Sequence, residues 1–161
     1  MKTFLKLASG LDYPLFVVTA AAGERRGGCV IGFATQSSFQ PARFLACLSR
    51  ANRSFRLAQE TDTLAVHLVP RDRSDLAELF GGETGDEVDK FARCEWHAGP
   101  RGLPILAGCP SWFAGEIVQR LDLGDHIGFL LDPFAARHDD ETGENLYFQR
   151  AKHIEPGHPA T

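Results

Sequence analysis

Between Gly32 and Phe55 the chain reads G-F-A-T-Q-S-S-F-Q-P-A-R-F-L-A-C-L-S-R-A-N-R-S-F, and this run gathers side chains suited to holding an anion. From Arg25 to Gln59 there is no Asp or Glu, while Arg25, Arg26, Arg43, Arg50, Arg53 and Arg56 all fall inside the window. All 21 acidic side chains lie outside it, and the formal net charge of the chain is −4. Nucleic-acid binders need many phosphate contacts and a broadly basic face. One anion-receptive patch on an acidic protein instead suggests a single bound anionic group, for which a cofactor phosphate is the first candidate.

Within the window, Thr35, Gln36, Ser37 and Ser38 follow a small apolar strand-like run, Cys29 to Ala34. Ser49, Asn52 and Ser54 follow a second, Phe44 to Leu48. The S-R-A-N-R-S turn leads into F-R-L-A-Q-E, which reads as a short helix capped by Asn52. Unpaired N–H groups and the dipole at such a start favour an anion, and an Arg adds a delocalised fork of donors. Taken residue by residue, solvated arginines and ordinary strand-end hydroxyls are the simpler account. The combination in one short window is what marks a candidate site.

The surrounding elements read as follows. L-D-Y-P-L-F-V-V-T-A-A-A opens as a turn and continues as a strand to the turn at Gly23 to Arg26, and Cys29 to Thr35 returns as its hairpin partner. Pro41 interrupts the next stretch, after which Arg43 to Ser49 is again strand-like. A helix is expected over Asn52 to Glu60, a strand over T-L-A-V-H-L-V ended by Pro70, and a second helix over D-R-S-D-L-A-E-L-F stopped at Gly81-Gly82. His67 in that strand reads as a strand residue rather than a ligand. The acid- and Gly-rich G-G-E-T-G-D-E-V-D-K-F is a candidate lid. C-E-W-H-A-G-P-R-G-L-P-I-L offers only short extended pieces, and W-F-A-G-E-I-V-Q-R-L-D-L-G-D-H-I-G-F-L-L-D-P-F two strands joined through Leu123 to Asp125. After Pro133 a solvated loop, a last edge strand in N-L-Y-F-Q-R-A-K and a loose tail are expected. Many short strands with two short helices indicate an antiparallel barrel or sandwich with helical insertions.

At 161 residues the chain has the size of one domain able to bury its own core. Hydrophobic residues at 43% and charged ones at 24% match an ordinary soluble globular protein rather than a nucleic-acid or membrane-surface binder. No apolar stretch is long enough to cross a bilayer, and the N-terminus lacks a sustained hydrophobic run, so a cytoplasmic location is expected. Cys29, Cys47, Cys94 and Cys109 form no C-x-x-C pair, which argues for reduced core thiols over a zinc site. Glu144 to Gln149, E-N-L-Y-F-Q, matches the recognition sequence of a plant-virus protease used to remove tags. Arg150 in place of the usual small residue after the Gln favours a native segment.

V-V-T-A, G-F-A-T-Q-S-S-F, R-F-L-A-C-L-S-R-A-N-R-S-F, D-K-F, G-L-P-I-L and G-D-H, in this order and spacing, resemble the flavin reductase-like family with its FMN-binding split β-barrel. The resemblance covers about Tyr13 to Phe134 and implies a mainly β, α+β fold. It sets residues 1–135 as a flavin reductase-like domain and 136–161 as surface loop, edge strand and tail. It further implies a homodimer with FMN near the subunit interface and NADH or NADPH as reductant. Thr35, Gln36, Ser37 and Ser38 would then hydrogen-bond the ring edge and ribityl chain, Ser49, Arg50, Asn52 and Ser54 would take the phosphate, and Phe91 would pack by the ring. Lys90 either reaches an anionic group or faces solvent. His126 is the residue to tie to the reductive chemistry, oriented by Asp125; equally, Gly124-Asp125 is a hairpin turn and His126 the first residue of a strand. The chain has A-T-Q-S-S where relatives often show T-A-x-S, a departure within the run expected to contact the ring. It also lacks a G-x-G-x-x-G fingerprint, so a nicotinamide nucleotide would lie in an open groove over the flavin.

The function implied is an NAD(P)H-dependent flavin reductase, with a monooxygenase as the possible recipient of reduced flavin; a non-catalytic FMN-binding or sensor protein of the same fold is the alternative. Both require that FMN bind the folded state alone, and saturating FMN is expected to raise the melting temperature in a thermal shift assay. No shift would count against both.

Overall fold

The computed structural model describes residues 1–82 and 89–153. Strand β1 (Phe16–Ala22) pairs antiparallel with β2 (Arg25–Ile31) from Phe16↔Ile31 to Ala22↔Arg25, so the turn is only Gly23-Glu24. Gly23 has φ of 63°, a conformation that suits Gly in a two-residue hairpin. The hairpin therefore closes two residues earlier than its charged Arg25-Arg26 suggested.

The run expected to end the second strand is a strand of its own. β3 (Ala34–Phe39) pairs with β4 (Ala42–Ser49), with a register shift between Gln36 and Ser38. β3 is an edge strand and mostly exposed, so Thr, Gln and Ser are tolerated on both of its faces. That polarity hid it from a reading by hydrophobic alternation. The helix after it, α2 (Arg53–Gln59), is capped as expected: the Asn52 side chain accepts from the Ser54 N–H at 2.8 Å. β5 (Thr63–Leu68), α3 (Ser74–Gly82), the small hairpin β6 (Trp96–Ala98) and β7 (Pro104–Leu106), and the long pair β8 (Trp112–Asp122) and β9 (His126–Arg137) complete the main frame. β9 continues past Pro133 because that residue sits opposite Gly115, beside a register shift where a ladder bond is dispensable. Residues 83–88 of the candidate lid and residues 154–161 of the tail lie outside the described residues.

Seven strands form one antiparallel sheet in the order β2-β1-β5-β8-β9-β4-β3. β1 alternates between two cores: Phe16, Val18 and Ala20 join one apolar cluster, Val17 with the preceding Leu15 the other. The first cluster unites Cys29 and Ile31 of β2 with Ala46 and Leu48 of β4, although the two strands are far apart in the sheet order. The sheet must curl for both to reach the same interior. The second cluster lies on the other face and takes Leu76, Ala77 and Phe80 from α3 together with Phe91, Leu106 and Cys109.

Two features at the chain ends depart from the sequence reading. A helix, α1 (Lys2–Ala8), opens the chain with no buried residue. In place of a last edge strand, Asn145 and Tyr147 make isolated bridges to Pro70 and Pro14, and Phe148–Ala151 is a one-turn helix, α4. Leu146 is 3% exposed; its N–H donates to Val69 O and its carbonyl accepts from Leu15 N–H, both at 2.8 Å. The Gln149 side-chain amide donates to the carbonyls of Ser9 and Leu11, and its backbone N–H to Asp12. Glu144 to Gln149 is thus woven into the fold. No helix among the described residues is long and apolar enough to cross a membrane.

His67 of β5 is fully buried and joins the sheet to the small hairpin. Its Nδ1 donates to Val17 O at 2.9 Å, and its Nε2 accepts from Leu106 N–H at 3.1 Å. Both ring nitrogens are used by the neutral tautomer, and burial pushes the pKa down to about 4. The unfolded chain takes up this proton near pH 6.5 and the folded chain only near 4, so the unfolded state binds more protons in between. Stability from this group is complete above pH 6.5 and is expected to fall as pH drops toward 4. Urea denaturation across that interval should show a decline in midpoint that His67→Asn flattens.

Candidate active site

A cavity of about 340 Å³ opens where the chain leaves β2 and passes through Gly32-Phe33 into β3. Its walls include Tyr13, Phe33, Phe148, Ser49, Asn52 and His126. The aromatic side is built from both chain ends. Tyr13 stacks on Phe148 with centroids 4.8 Å apart and an interplanar angle of 17°, and meets Phe33 edge-on at 6.1 Å. The Tyr13 ring lies so close to Gly32 that any side chain there would collide with it. Burial also pushes the Tyr13 hydroxyl pKa up, with the Asp12 carboxylate adding to the shift.

The polar side is built from the end of β4 and the start of β9, which pair through Ser49↔His126. His126 Nδ1 lies 2.7 Å from Asp125 Oδ1, and its ring is 5.2 Å from that of Phe33. Asp125 occupies Nδ1, so Nε2 is the ring nitrogen disposed to meet a ligand. Arg50 holds the turn that carries this pair: Nε donates to Gly124 O at 2.8 Å, Nη2 lies 2.9 Å from Asp122, and its backbone N–H donates to Asp125 O. Gly124, at φ 124°, allows that turn. The Asp122 carboxyl pKa is held down by the Gly124 N–H and by Arg50.

A second, narrower cleft shares Asn52 with the cavity and is lined by Arg26, Arg53, Ser54, Lys90 and Phe91, with Asp89 as its acid. The Arg26 guanidinium carbon lies over the Trp96 ring, 4.5 Å from its centroid. Lys90 is buried and donates to Phe80 O at 3.0 Å, at the C-terminal turn of α3. Ser54 is 2% exposed.

The residues singled out from the sequence therefore fall into four groups. Ser49, Asn52 and His126, with Asp125 behind it, converge on the cavity. Ser54 and Phe91 lie at the adjoining cleft, where Phe91 also packs edge-on against Phe80 and Trp96. Thr35, Gln36, Ser37 and Ser38 sit on the exposed edge strand outside the cavity, where Thr35 Oγ1 donates to Gln36 O and Gln36 Nε2 to Ser38 O. Arg50 is turned to the β8–β9 turn. Sequence reasoning missed Tyr13, Phe33 and Phe148, whose aromatic types were visible but whose convergence depends on both chain ends meeting. It also missed Arg26 as a cleft residue, a possible signal being its place in the acid-free window.

The mainly antiparallel β fold is one that solved structures share. NADH:FAD oxidoreductase SgcE6 of Streptomyces globisporus C-1027, in complex with NAD and FAD fragments, superposes with a TM-score of 0.82 at 22% identity, covering 93% of this chain and 89% of that one. A nitrilotriacetate monooxygenase component B homolog from Mycobacterium thermoresistibile gives 0.83 at 20% identity, covering 93% and 83%. Among curated relatives, FMN reductase (NADH) RutF of Yersinia enterocolitica is 27% identical over 137 residues, 85% of this chain and 75% of that protein. The chain belongs to the family of the flavin reductase like domain, whose model matches residues 8–155.

Asn52 serves two roles that can be separated. Its side chain caps α2, so Asn52→Ala is expected to cost about 1 kcal/mol of stability while Asn52→Asp retains the cap. If Asn52 also meets a phosphate, Asn52→Asp weakens FMN binding by like-charge repulsion without lowering the denaturation midpoint, as paired calorimetric and urea titrations would show.

Proposed function

We propose that this protein is an NADH-dependent flavin reductase that binds FMN in the 340 Å³ cavity. The observation that carries the reading is the convergence of a stacked aromatic wall, Tyr13 with Phe148, and the polar set Ser49, Asn52 and His126 on one cavity in a member of this family. The residues present fit a flavin. Its planar ring matches flat aromatic walls, and the cavity volume is within the range of small-molecule sites, about 300–1,000 Å³. Its phosphate matches the cleft where Asn52 and Ser54 stand among Arg26, Arg53 and Lys90. When bound, the flavin supplies the two-electron redox chemistry of its ring.

The chain itself positions and shields. The aromatic wall excludes water from one side of the cavity. Ser49 and Asn52 orient the polar part of the ligand, and Asp125 fixes the His126 imidazole so that Nε2 meets the nicotinamide nucleotide at the cavity mouth. Arg50 acts through the turn, as a positioning residue. Curated relatives named FMN reductase (NADH) support NADH as reductant.

Three finer points belong to the same reading. The sheet is a split barrel, supported by the interior that β2 and β4 share. The protein is a homodimer, supported by the exposed Phe39 and Phe33, 89% and 56% accessible, on and beside the open edge strand. Thr35, Gln36, Ser37 and Ser38 then face the ligand from that interface. Reduced flavin goes to a monooxygenase, as the name of the Mycobacterium thermoresistibile relative suggests for that protein.

Anaerobic titration of the FMN-loaded protein tests the reading. NADH is expected to bleach the flavin absorption band, and His126→Ala to slow bleaching on the order of tenfold. A flavin that stays yellow under NADH and NADPH would overturn the reductase and leave a flavin-binding protein.

A further inference from the structure

Away from the cavity, the open end of the β6–β7 hairpin brings two cysteines and one guanidinium together. Trp96 pairs with Leu106, and Ala107 N–H donates to Glu95 O at 3.0 Å, which carries the ladder one rung further. Cys94 and the Gly108-Cys109 step therefore flank the same end of the hairpin. Cys109 N–H donates to Leu106 O, a turn that folds Cys109 back toward the sheet. Cys109 belongs to the second apolar cluster, and half-buried Cys94 packs against that cluster.

The guanidinium is that of Arg73. Its Nε and Nη2 fork onto Asp75, both at 3.0 Å, which leaves Nη1 over Gly108, where any side chain would collide with it. Arg73, Leu76, Cys94, Glu95, Ala107 and Gly108 enclose a cavity of about 140 Å³, ample for a molecule of water or peroxide. Burial raises the pKa of both thiols, and Arg73 opposes that rise at each; Asp89 adds to it at Cys94, and Asp75 and Cys94 add to it at Cys109. Burial opposes ionisation more strongly at Cys109, which is pushed up to about 12. Cys94, half-buried and lining the cavity, is the sulfur placed to meet an oxidant, and buried Cys109 is the resolving one.

We propose that Cys94 and Cys109 form a thiol-pair site that hydrogen peroxide oxidises to an intramolecular disulfide, with Arg73 as the cation that promotes the first step. The Cys94 thiolate attacks one peroxide oxygen and the O–O bond breaks. The departing hydroxide takes up the proton that the Cys94 thiol released on ionising and leaves as water, and Cys94 becomes a sulfenic acid. The Cys109 sulfur then attacks the Cys94 sulfur; the S–O bond breaks, the S–S bond forms and a second water leaves with the Cys109 proton. The two sulfurs lose two electrons in all, and peroxide gains them. The site is independent of the flavin cavity and does not rest on the reductase reading. By contrast Cys29 is 1% exposed in the other core and serves as an internal control.

The test is peptide mapping of the full chain after hydrogen peroxide treatment, alkylation and digestion without reductant. The expected product is one linked peptide pair containing Cys94 and Cys109, lighter by two hydrogens than its parts and separated by reductant, with Cys29 unchanged. Arg73→Gln is expected to slow its formation several-fold, and Cys109→Ser to leave Cys94 as a sulfenic acid trapped by dimedone. Recovery of Cys94 and Cys109 as separately alkylated peptides, at peroxide doses that oxidise free glutathione, would overturn the proposal. So would conversion of Cys94 to sulfinic acid with no cross-link. The wild-type map decides even where Cys109→Ser does not fold, and Cys94→Ser, at the more accessible position, must abolish both cross-link and dimedone adduct.

Discussion

One apolar interior that must be reached from distant places in the sheet governs the rest of this structure. Cys29 and Ile31 on β2 and Ala46 and Leu48 on β4 bury into the same cluster, yet four strands, β1, β5, β8 and β9, lie between them in the sheet. The hydrophobic effect bends the sheet until they meet. The bend leaves a gap where the chain steps from β2 to β3, and Gly32-Phe33 crosses it with Phe33 O accepting from Cys47 N–H at 2.9 Å. The cavity is that gap, roofed by the two chain ends. Site and core are consequences of one constraint, and the residues that line the cavity come from elements whose own burial lies elsewhere.

The acid-free window works through division of labour rather than as one patch. Arg50 fixes the turn behind His126, Arg25 pairs with Glu60 and Arg43 with Asp132, while Arg26 and Arg53 line the cleft beside Ser54. Those ion pairs are largely solvent-exposed and add little stability. Their value is orientation. The window contains no acid of its own, so its arginines reach carboxylates on other elements and thereby tie α2, β8 and β9 around the site.

Much of this was legible from residue types. The Asn52 cap, the strand holding His67 and the β8–β9 hairpin follow from local signals that the tertiary structure respects. Other parts were hidden for physical reasons. β3 is an exposed edge whose hydroxyls satisfy both faces in water, so it carries no alternation. α1 buries nothing, so no apolar stripe toward a core marks it. Tyr13 and Phe148 stand far apart in the chain, and only the bond network between the chain ends makes them one wall. The role of Arg50 depended on where Gly124 would lie, which charge counting does not reveal.

The segment Glu144 to Gln149 has a practical consequence. A protease that reads E-N-L-Y-F-Q needs those residues extended in its own cleft, whereas here Leu146 is buried between Leu15 and Val69 and Gln149 is tied to Ser9, Leu11 and Asp12. Folding conceals the motif. A preparation that uses such a protease to free a fusion partner carries a second copy of the recognition sequence inside its product, guarded by tertiary structure and by Arg150 after the Gln. Cutting there would detach Ala151 and Lys152 from the cavity they help to line, so partial unfolding during handling would be recorded as a shortened chain.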